Sequence, residues 1–221
     1  MKKIFIATVF IFTLIFGHSQ NTNSIGIKSG LTFATQDWKY NYNIKQDIRY
    51  KTGLFEALTF DFFNGKHFSL ITDLSYTQKG FKEIVLLVNP NNPEVILGYS
   101  TINTRFDFIT LSPMLKFRMD YKSFSPYIIV GPRVDYYISY NSVIDFSAIV
   151  NKFNNPVFGL TTGIGVEYKK NKIGIIIEGQ YLSDFTYLYQ MINLNSILTS
   201  IENKAYVLTL GVRYYFKKVK P

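Results

Sequence analysis

Ten ionisable residues stand at alternating positions within extended stretches of the chain: Lys28, Asp73, Lys79, Lys116, Arg118, Arg133, Asp135, Glu167, Glu178 and Arg213. Such a set has two chemical uses. Paired carboxylates can exchange protons with a substrate, or carboxylates and cations can neutralise one another where water is excluded. Six cations against four anions suit mutual neutralisation, with the excess near the ends or solvated. Catalysis would need partners that the sequence does not place. The chain has 2 His and 0 Cys, so a cysteine nucleophile, a thiolate zinc site and a disulfide scaffold are excluded. His67 lies beside the Asn64-Gly65 turn, with no Ser or acid at matching height to complete a triad. No phosphate-cradling or dinucleotide-binding glycine motif occurs. These residues predict no enzyme, no metal and no cofactor.

The elements that carry the ten residues repeat with period two. From Ala205 to Phe216, Tyr206, Leu208, Leu210, Val212, Tyr214 and Phe216 share one face, opposite Val207, Thr209, Gly211, Arg213 and Tyr215. Alternation of this kind is a strand between two different environments. The same pattern predicts eight strands, near 25–35, 51–62, 67–81, 103–119, 124–140, 156–169, 172–184 and 204–216. The second alternates less evenly, because Glu56 shares the parity of Leu54 and Leu58. A bulge is expected there to re-aim the strand.

Composition sets the surroundings. Hydrophobic residues make up 47% of the chain and aromatics 17%, so it folds rather than staying disordered. Charged residues are only 18%, fewer than the roughly 25% of an average soluble domain. The net charge of +9 comes from scattered cations, with one dense group at Lys217, Lys218 and Lys220. That scatter suits anionic lipid head groups and not a nucleic acid.

The first residues read as an export signal covering 1–19. Met1-Lys2-Lys3 is a positive start, Ile4 to Phe16 is an apolar run with two Thr, and Gly17-His18-Ser19 is a cleavable small-x-small end. The run is too short for a spanning helix, which needs about 20 residues. Cleavage would leave a barrel domain at 20–221 and lower the net charge to +7, since Lys2 and Lys3 leave with the signal.

Connections alternate strictly between short and long. Short turns are expected near 63–66, 120–123 and 170–171, and long connections near 36–50, 82–102, 141–155 and 185–203. Short turns at one end and long loops at the other belong to a transmembrane barrel. The fold expected is therefore all-β, an eight-stranded antiparallel up-and-down transmembrane β-barrel, with the ionic parity filling the lumen. The alternative is a soluble barrel with those ten charges outside. Aromatics gather at both strand ends. Phe60, Phe62, Phe63, Phe68, Phe117, Tyr121, Phe124, Tyr127, Tyr168, Tyr214 and Phe216 lie near the short turns; Tyr76, Phe81, Phe106, Tyr136, Tyr140, Tyr181 and Phe185 lie near the long loops. Two such girdles bracket the apolar band of an outer-membrane barrel.

Several of these stretches together resemble the PorT-like family of small outer-membrane β-barrels. They are Ile25 to Phe33, Leu74 to Gly80, Leu111 to Phe117, Pro126-Tyr127 with Gly131-Pro132, and Gly163 to Glu167. The end of the last strand, Thr209 to Phe216 with Gly211, Tyr214 and Phe216, is similar to the signal that the barrel-assembly machinery reads. The resemblance implies an integral protein of the outer membrane, with outer-membrane lipid and that machinery as partners. It implies a structural or interaction role without catalysis. The family's founding member is tied to a protein-secretion apparatus, which suggests an accessory place beside such a complex. The alternative is a narrow pore, or a lipid- or ligand-binding barrel with a lid of outer loops.

The 82–102 segment reads as one extended hairpin, with Ile84, Leu86 and Val88 before the Asn89 to Glu94 turn and Val95 and Leu97 after it. Strands three and four then exceed the roughly 10 residues that a bilayer needs, so the hairpin stands out from the surface. Either a partner strand completes its edge, or it folds over the mouth with Tyr187, Leu188, Tyr189, Ile192 and Leu194 as a lid.

Overall fold

The computed structural model describes residues 22–40, 47–63, 65, 67–90, 92–143, 145, 147–190 and 198–216. The signal segment, Asn64, Ile192, Leu194 and the tail from Lys217 lie outside the described residues. Among the described residues ten strands form one sheet: β1 (Thr22–Tyr40), β2 (Ile48–Arg49), β3 (Lys51–Phe62), β4 (Phe68–Asn89), β5 (Asn92–Arg118), β6 (Phe124–Asn141), β7 (Val157–Lys170), β8 (Ile173–Asp184), β9 (Tyr189–Gln190) and β10 (Leu198–Tyr215). A one-turn helix, α1 (Ser147–Val150), precedes β7. β2 and β9 are two-residue additions; the other eight strands follow one another around the sheet, each antiparallel to the next. β1 closes the ring on β10, from Ser24 opposite Tyr215 to Tyr40 opposite Leu198. The fold is an eight-stranded up-and-down barrel without a free edge around its wall.

The three short connections lie at one end, with the start of β1 and the finish of β10. Each holds one left-handed residue, Phe63, Lys122 or Asn171, which reverses the chain within a few residues. Tyr121 and Phe124 exchange backbone hydrogen bonds across the second of them, at 2.7 and 2.9 Å.

Alternation decides what faces where. Side chains on one parity of each strand are buried and those on the other exposed. The buried parity carries Lys28, Asp73, Lys116 and Arg133; the exposed parity carries Ile27, Leu31, Leu58, Leu115, Ile164, Ile177 and Leu208. A protein in water would have these the other way round. Hydrocarbon around the wall removes the contradiction.

Two expectations are corrected. β3 has no bulge: its register with β1 runs unbroken from Ser24 opposite Asp61 to Ala34 opposite Lys51, and that with β4 from Phe55 to Phe62. Glu56 faces outward and accepts the Ser29 hydroxyl at 2.8 Å, while Phe55 and Ala57 fill the inner side at that height. The girdles also lose members. Tyr127, Phe81 and Phe106 are buried inside, and Tyr140 packs against Phe106. Aromatic rings were legible as a band at each end, but not which of them turned inward.

Candidate functional site

The lumen is built in levels. Nearest the short turns, β7 offers Glu167, whose carboxylate accepts Lys116 of β5 at 2.8 Å and the Tyr215 hydroxyl of β10. Arg213 lies between Glu167 and Asp61, 3.5 and 3.2 Å from them. The Lys116 ammonium also sits 4.2 Å from the centre of the Tyr127 ring, a cation–π contact.

One level outward, Lys28 of β1 donates to Asp73 of β4 and, at 2.7 Å, to Glu178 of β8. Glu178 in turn accepts the Tyr127 hydroxyl at 2.6 Å and the Gln180 amide at 2.7 Å. Lys28 reaches these acids because β10 carries Gly211 beside it. A Cβ there would stand 2.8 Å from the Lys28 Cγ and 2.8 Å from the Ile27 carbonyl oxygen. That is a physical reason for glycine in the last strand apart from any signal.

The outermost ionic level joins Lys79, Arg133, Asp135 and Asp184. Lys79 donates to Asp135 at 2.5 Å, Arg133 donates to Asp184, and Thr110 donates to Asp135 at 2.7 Å. Asn203 donates its backbone and side-chain N–H groups to Asp184 at 3.0 and 2.8 Å. The chain Trp38 to Gln36 to Asn203, at 2.9 and 2.8 Å, carries the network towards the mouth.

Arg118 lies apart from these levels, at the rim by the short turns, where it donates to the Gly65 carbonyl at 2.8 Å. Two acids escaped the sequence reading, Asp61 and Asp184, and both are fully enclosed. Asp61 was hidden by the uneven alternation of β3, since only the outward aim of Glu56 fixes its parity. Asp184 stands at the last position of β8, where alternation stops being informative. With them, Lys28, Lys79, Lys116, Arg133 and Arg213 face Asp61, Asp73, Asp135, Glu167, Glu178 and Asp184, so the three levels hold one more anion than cation.

Above the last ions the interior turns apolar. Phe81, Phe106, Phe108, Val157, Leu188, Tyr189 and Ile201 form a buried cluster, with Trp38, Tyr137 and Phe153 packed against it. Lys79 marks the boundary, its ammonium 5.0 Å from the centre of the Phe108 ring. Leu188 is tied down by a 2.8 Å bond from its N–H to the Ile201 carbonyl, which holds Leu188 and Tyr189 in this apolar cluster. The β4–β5 hairpin stands clear of it. Leu86, Val88, Val95 and Leu97 are exposed, with Ile84 half-buried at its base.

At the closing seam, Tyr214 and Phe216 point outward with their rings 5.9 Å apart, and the Phe216 N–H donates to the Asn23 carbonyl at 3.0 Å. His67 is exposed at the turn-end rim. Among the described residues no group of three or more His, Cys, Asp or Glu is placed to hold a metal ion.

A closed ring with ions within and aliphatics without is the pattern of an outer-membrane barrel, and the family comparison agrees. The family described as outer membrane protein beta-barrel domain matches residues 18–190. The chain belongs to that family. As a member of the outer membrane protein beta-barrel domain family, it is placed in the outer membrane, with its wall in lipid. No curated protein matches the sequence. Solved structures similar to it include OprG of Pseudomonas aeruginosa, at 12% identity and a TM-score of 0.48, covering 88% of this chain and 97% of that one. Neisserial surface protein A matches at 10% identity and a TM-score of 0.47, over 87% and 97% of the two chains. Outer membrane protein W of E. coli matches at 12% identity and a TM-score of 0.43, over 89% and 99%.

Proposed function

We propose that this barrel, of PorT-like type, serves as a structural or interaction protein of the outer membrane, accessory to a protein-secretion complex. Catalysis has no part in this reading. The lumen ions are internal struts: each carboxylate sits against a cation or a hydrogen-bond donor, which suits mutual neutralisation better than proton exchange with a substrate. Export through the 1–19 signal and recognition of Gly211, Tyr214 and Phe216 by the barrel-assembly machinery complete the proposal.

One observation carries it. β6 stops pairing at Asn141 opposite Arg105, so among the described residues no strand pairs with the β5 backbone from Asn92 to Thr104 on that side. Between Lys82 and Asn89 the hairpin climbs roughly 25 Å at about 3.3 Å per residue. Leu86, Val95 and Leu97 lie exposed along it. An edge of this kind, flanked by apolar side chains, is suited to β-augmentation by a partner strand. Replacing 84–96 by a short turn tests this. The barrel should still assemble and migrate anomalously on an unboiled gel, while proteins that co-purify in mild detergent are lost. Loss of the folded barrel would contradict the reading.

The apolar cluster that holds Leu188 and Tyr189 favours a second reading, a ligand-binding barrel with a lid. Under it, opening the lid would expose the Lys79–Asp135 level to a ligand from outside. Ligand-dependent quenching of Trp38, the only tryptophan, would support that reading over the first.

A further inference from the structure

The three ionic levels of the lumen are not equally balanced. In the outermost, Lys79 and Arg133 face Asp135 and Asp184, two cations for two acids. The two levels nearer the short turns hold Asp61, Asp73, Glu167 and Glu178 against Lys28, Lys116 and Arg213. Lys28 is divided between Asp73 and Glu178, and Arg213 between Asp61 and Glu167. Arg118 and Lys169, at the rim, are engaged by Asp120. Four acids therefore share three cations. A surplus charge enclosed by a wall in hydrocarbon is costly unless a charge of opposite sign joins it.

The place of a further cation follows from which oxygens are already used. Asp73 meets Lys28 and Gln180 through Oδ2, and Asp61 meets Arg213 through Oδ2. Asp61 Oδ1 and Asp73 Oδ1 have no hydrogen-bond partner among the described residues, and neither have the Thr59 and Ser24 hydroxyls. All four residues are at most 2% exposed. The strand register gathers them on one inner patch. Thr59 of β3 stands opposite Asp73 of β4, Asp61 lies two residues from Thr59 on the same face, and Ser24 of β1 stands opposite Asp61. Direct and diagonal neighbours on one face of adjacent strands come within reach of one another. Gly26, opposite Thr59, adds no side chain to the patch.

We infer that Thr59, Asp61 and Asp73, with Ser24 beside them, form a binding site for one monovalent metal cation of the sodium or potassium type. Hard cations take oxygen ligands, and two carboxylate oxygens with two hydroxyls supply them. A single positive charge brings the two lower levels to neutrality; a divalent ion would leave them positive. Water bonds the same oxygens but leaves the surplus negative charge. The ion ties β1, β3 and β4 together beside the seam where β1 closes on β10. Asp61 is one of the acids that the alternation pattern hid, so this patch is visible only in the closed ring.

The test uses the purified full-length protein in phosphatidylcholine vesicles, with sodium, potassium or choline chloride at one ionic strength so that screening is equal. The urea midpoint is read from the loss of anomalous gel migration. An ion bound only by the folded barrel stabilises it by mass action, so the midpoint should be higher in sodium or potassium than in choline and should saturate. Thr59→Val removes a ligand without touching an ion pair, and the alkali-metal concentration giving half the rise should increase at least tenfold. Asp61→Asn removes the surplus charge and should abolish the difference between the salts. Thr161→Val, which deletes an equally unpartnered hydroxyl on β7, should respond like the native protein. Equal midpoints of the native protein in all three salts would overturn the site. So would a response that Thr59→Val and Asp61→Asn both leave unchanged.

Discussion

β4 and β5 pair in one unbroken register from Phe68 opposite Phe117 to Leu87 opposite Gly98, but reverse their chemistry part-way along. Towards the short turns, inward positions carry Ser69, Asp73, Ser75, Thr110 and Lys116, and outward positions carry Leu70, Leu74, Ile109 and Leu115. From Lys79 outward the inward positions include the rings of Phe106 and Phe81 and the side chain of Ile102, with Thr104 and Glu83 among them, and the outward ones are Lys82, Arg105, Asn103 and Thr101. Geometry has not changed, so the solvent must have. In the lower region hydrocarbon takes the aliphatic face and ions retreat inside; above, water takes the polar face and the rings retreat inside. The reversal at Lys79–Phe81 marks where the membrane ends on this side of the wall.

The largest effect should come from breaking the lower interior. Lys28→Leu leaves Asp73 and Glu178 enclosed without their cation, and should cost about 3–5 kcal/mol. Urea unfolding of the protein in vesicles would measure it, with Lys82→Leu, above the reversal, expected within about 0.5 kcal/mol of the native protein. Next comes the outer face. Ile164 is 69% exposed to the surroundings of the chain and Leu97 62%, yet one is placed in lipid and the other in water. Ile164→Arg should therefore cost about 2–4 kcal/mol, while Leu97→Arg changes stability by about 0.5 kcal/mol or less. Equal costs at the two sites would erase the distinction.

Much of this was legible in the sequence, because a barrel wall repeats one simple physical rule. Strands near 124–140 and 172–184 emerge as Phe124–Asn141 and Ile173–Asp184, since alternation there is uninterrupted and a short turn fixes the start of each. Legibility failed where parity was broken or ended. Glu56 on the lipid side obscured β3 and with it Asp61. The cap was hidden because Phe81 and Phe106 look like girdle residues until it is known that water has replaced lipid outside them. The outer ends of β1 and β10 were expected as loops, yet Gln36 to Tyr40 pairs with Leu198 to Asn203 beyond the ionic levels.

The cap gives a smaller effect. Leu188→Ala removes a side chain buried in the apolar cluster and should cost about 2 kcal/mol. Because Trp38 packs edge-on to Phe81, 5.2 Å between ring centres, its emission should shift to the red before the barrel itself unfolds. Emission that changes only with the barrel would make cap and lumen one cooperative unit. The smallest change is expected at the water-exposed rim. Lys39→Gln loses the pair with Glu202, half in solvent, and should shift the urea midpoint least of all these changes, an effect that added salt removes.

The solvent on the outer wall can be measured directly, because the chain has 0 Cys. Single cysteines replacing Ile164, Leu208 and Leu97 would each carry a nitroxide label in a barrel reconstituted into vesicles. Relaxation by oxygen should dominate at 164 and 208, and relaxation by a water-soluble nickel chelate at 97. Ready access of the nickel chelate to all three would mean that water bathes the aliphatic wall, contradicting the account.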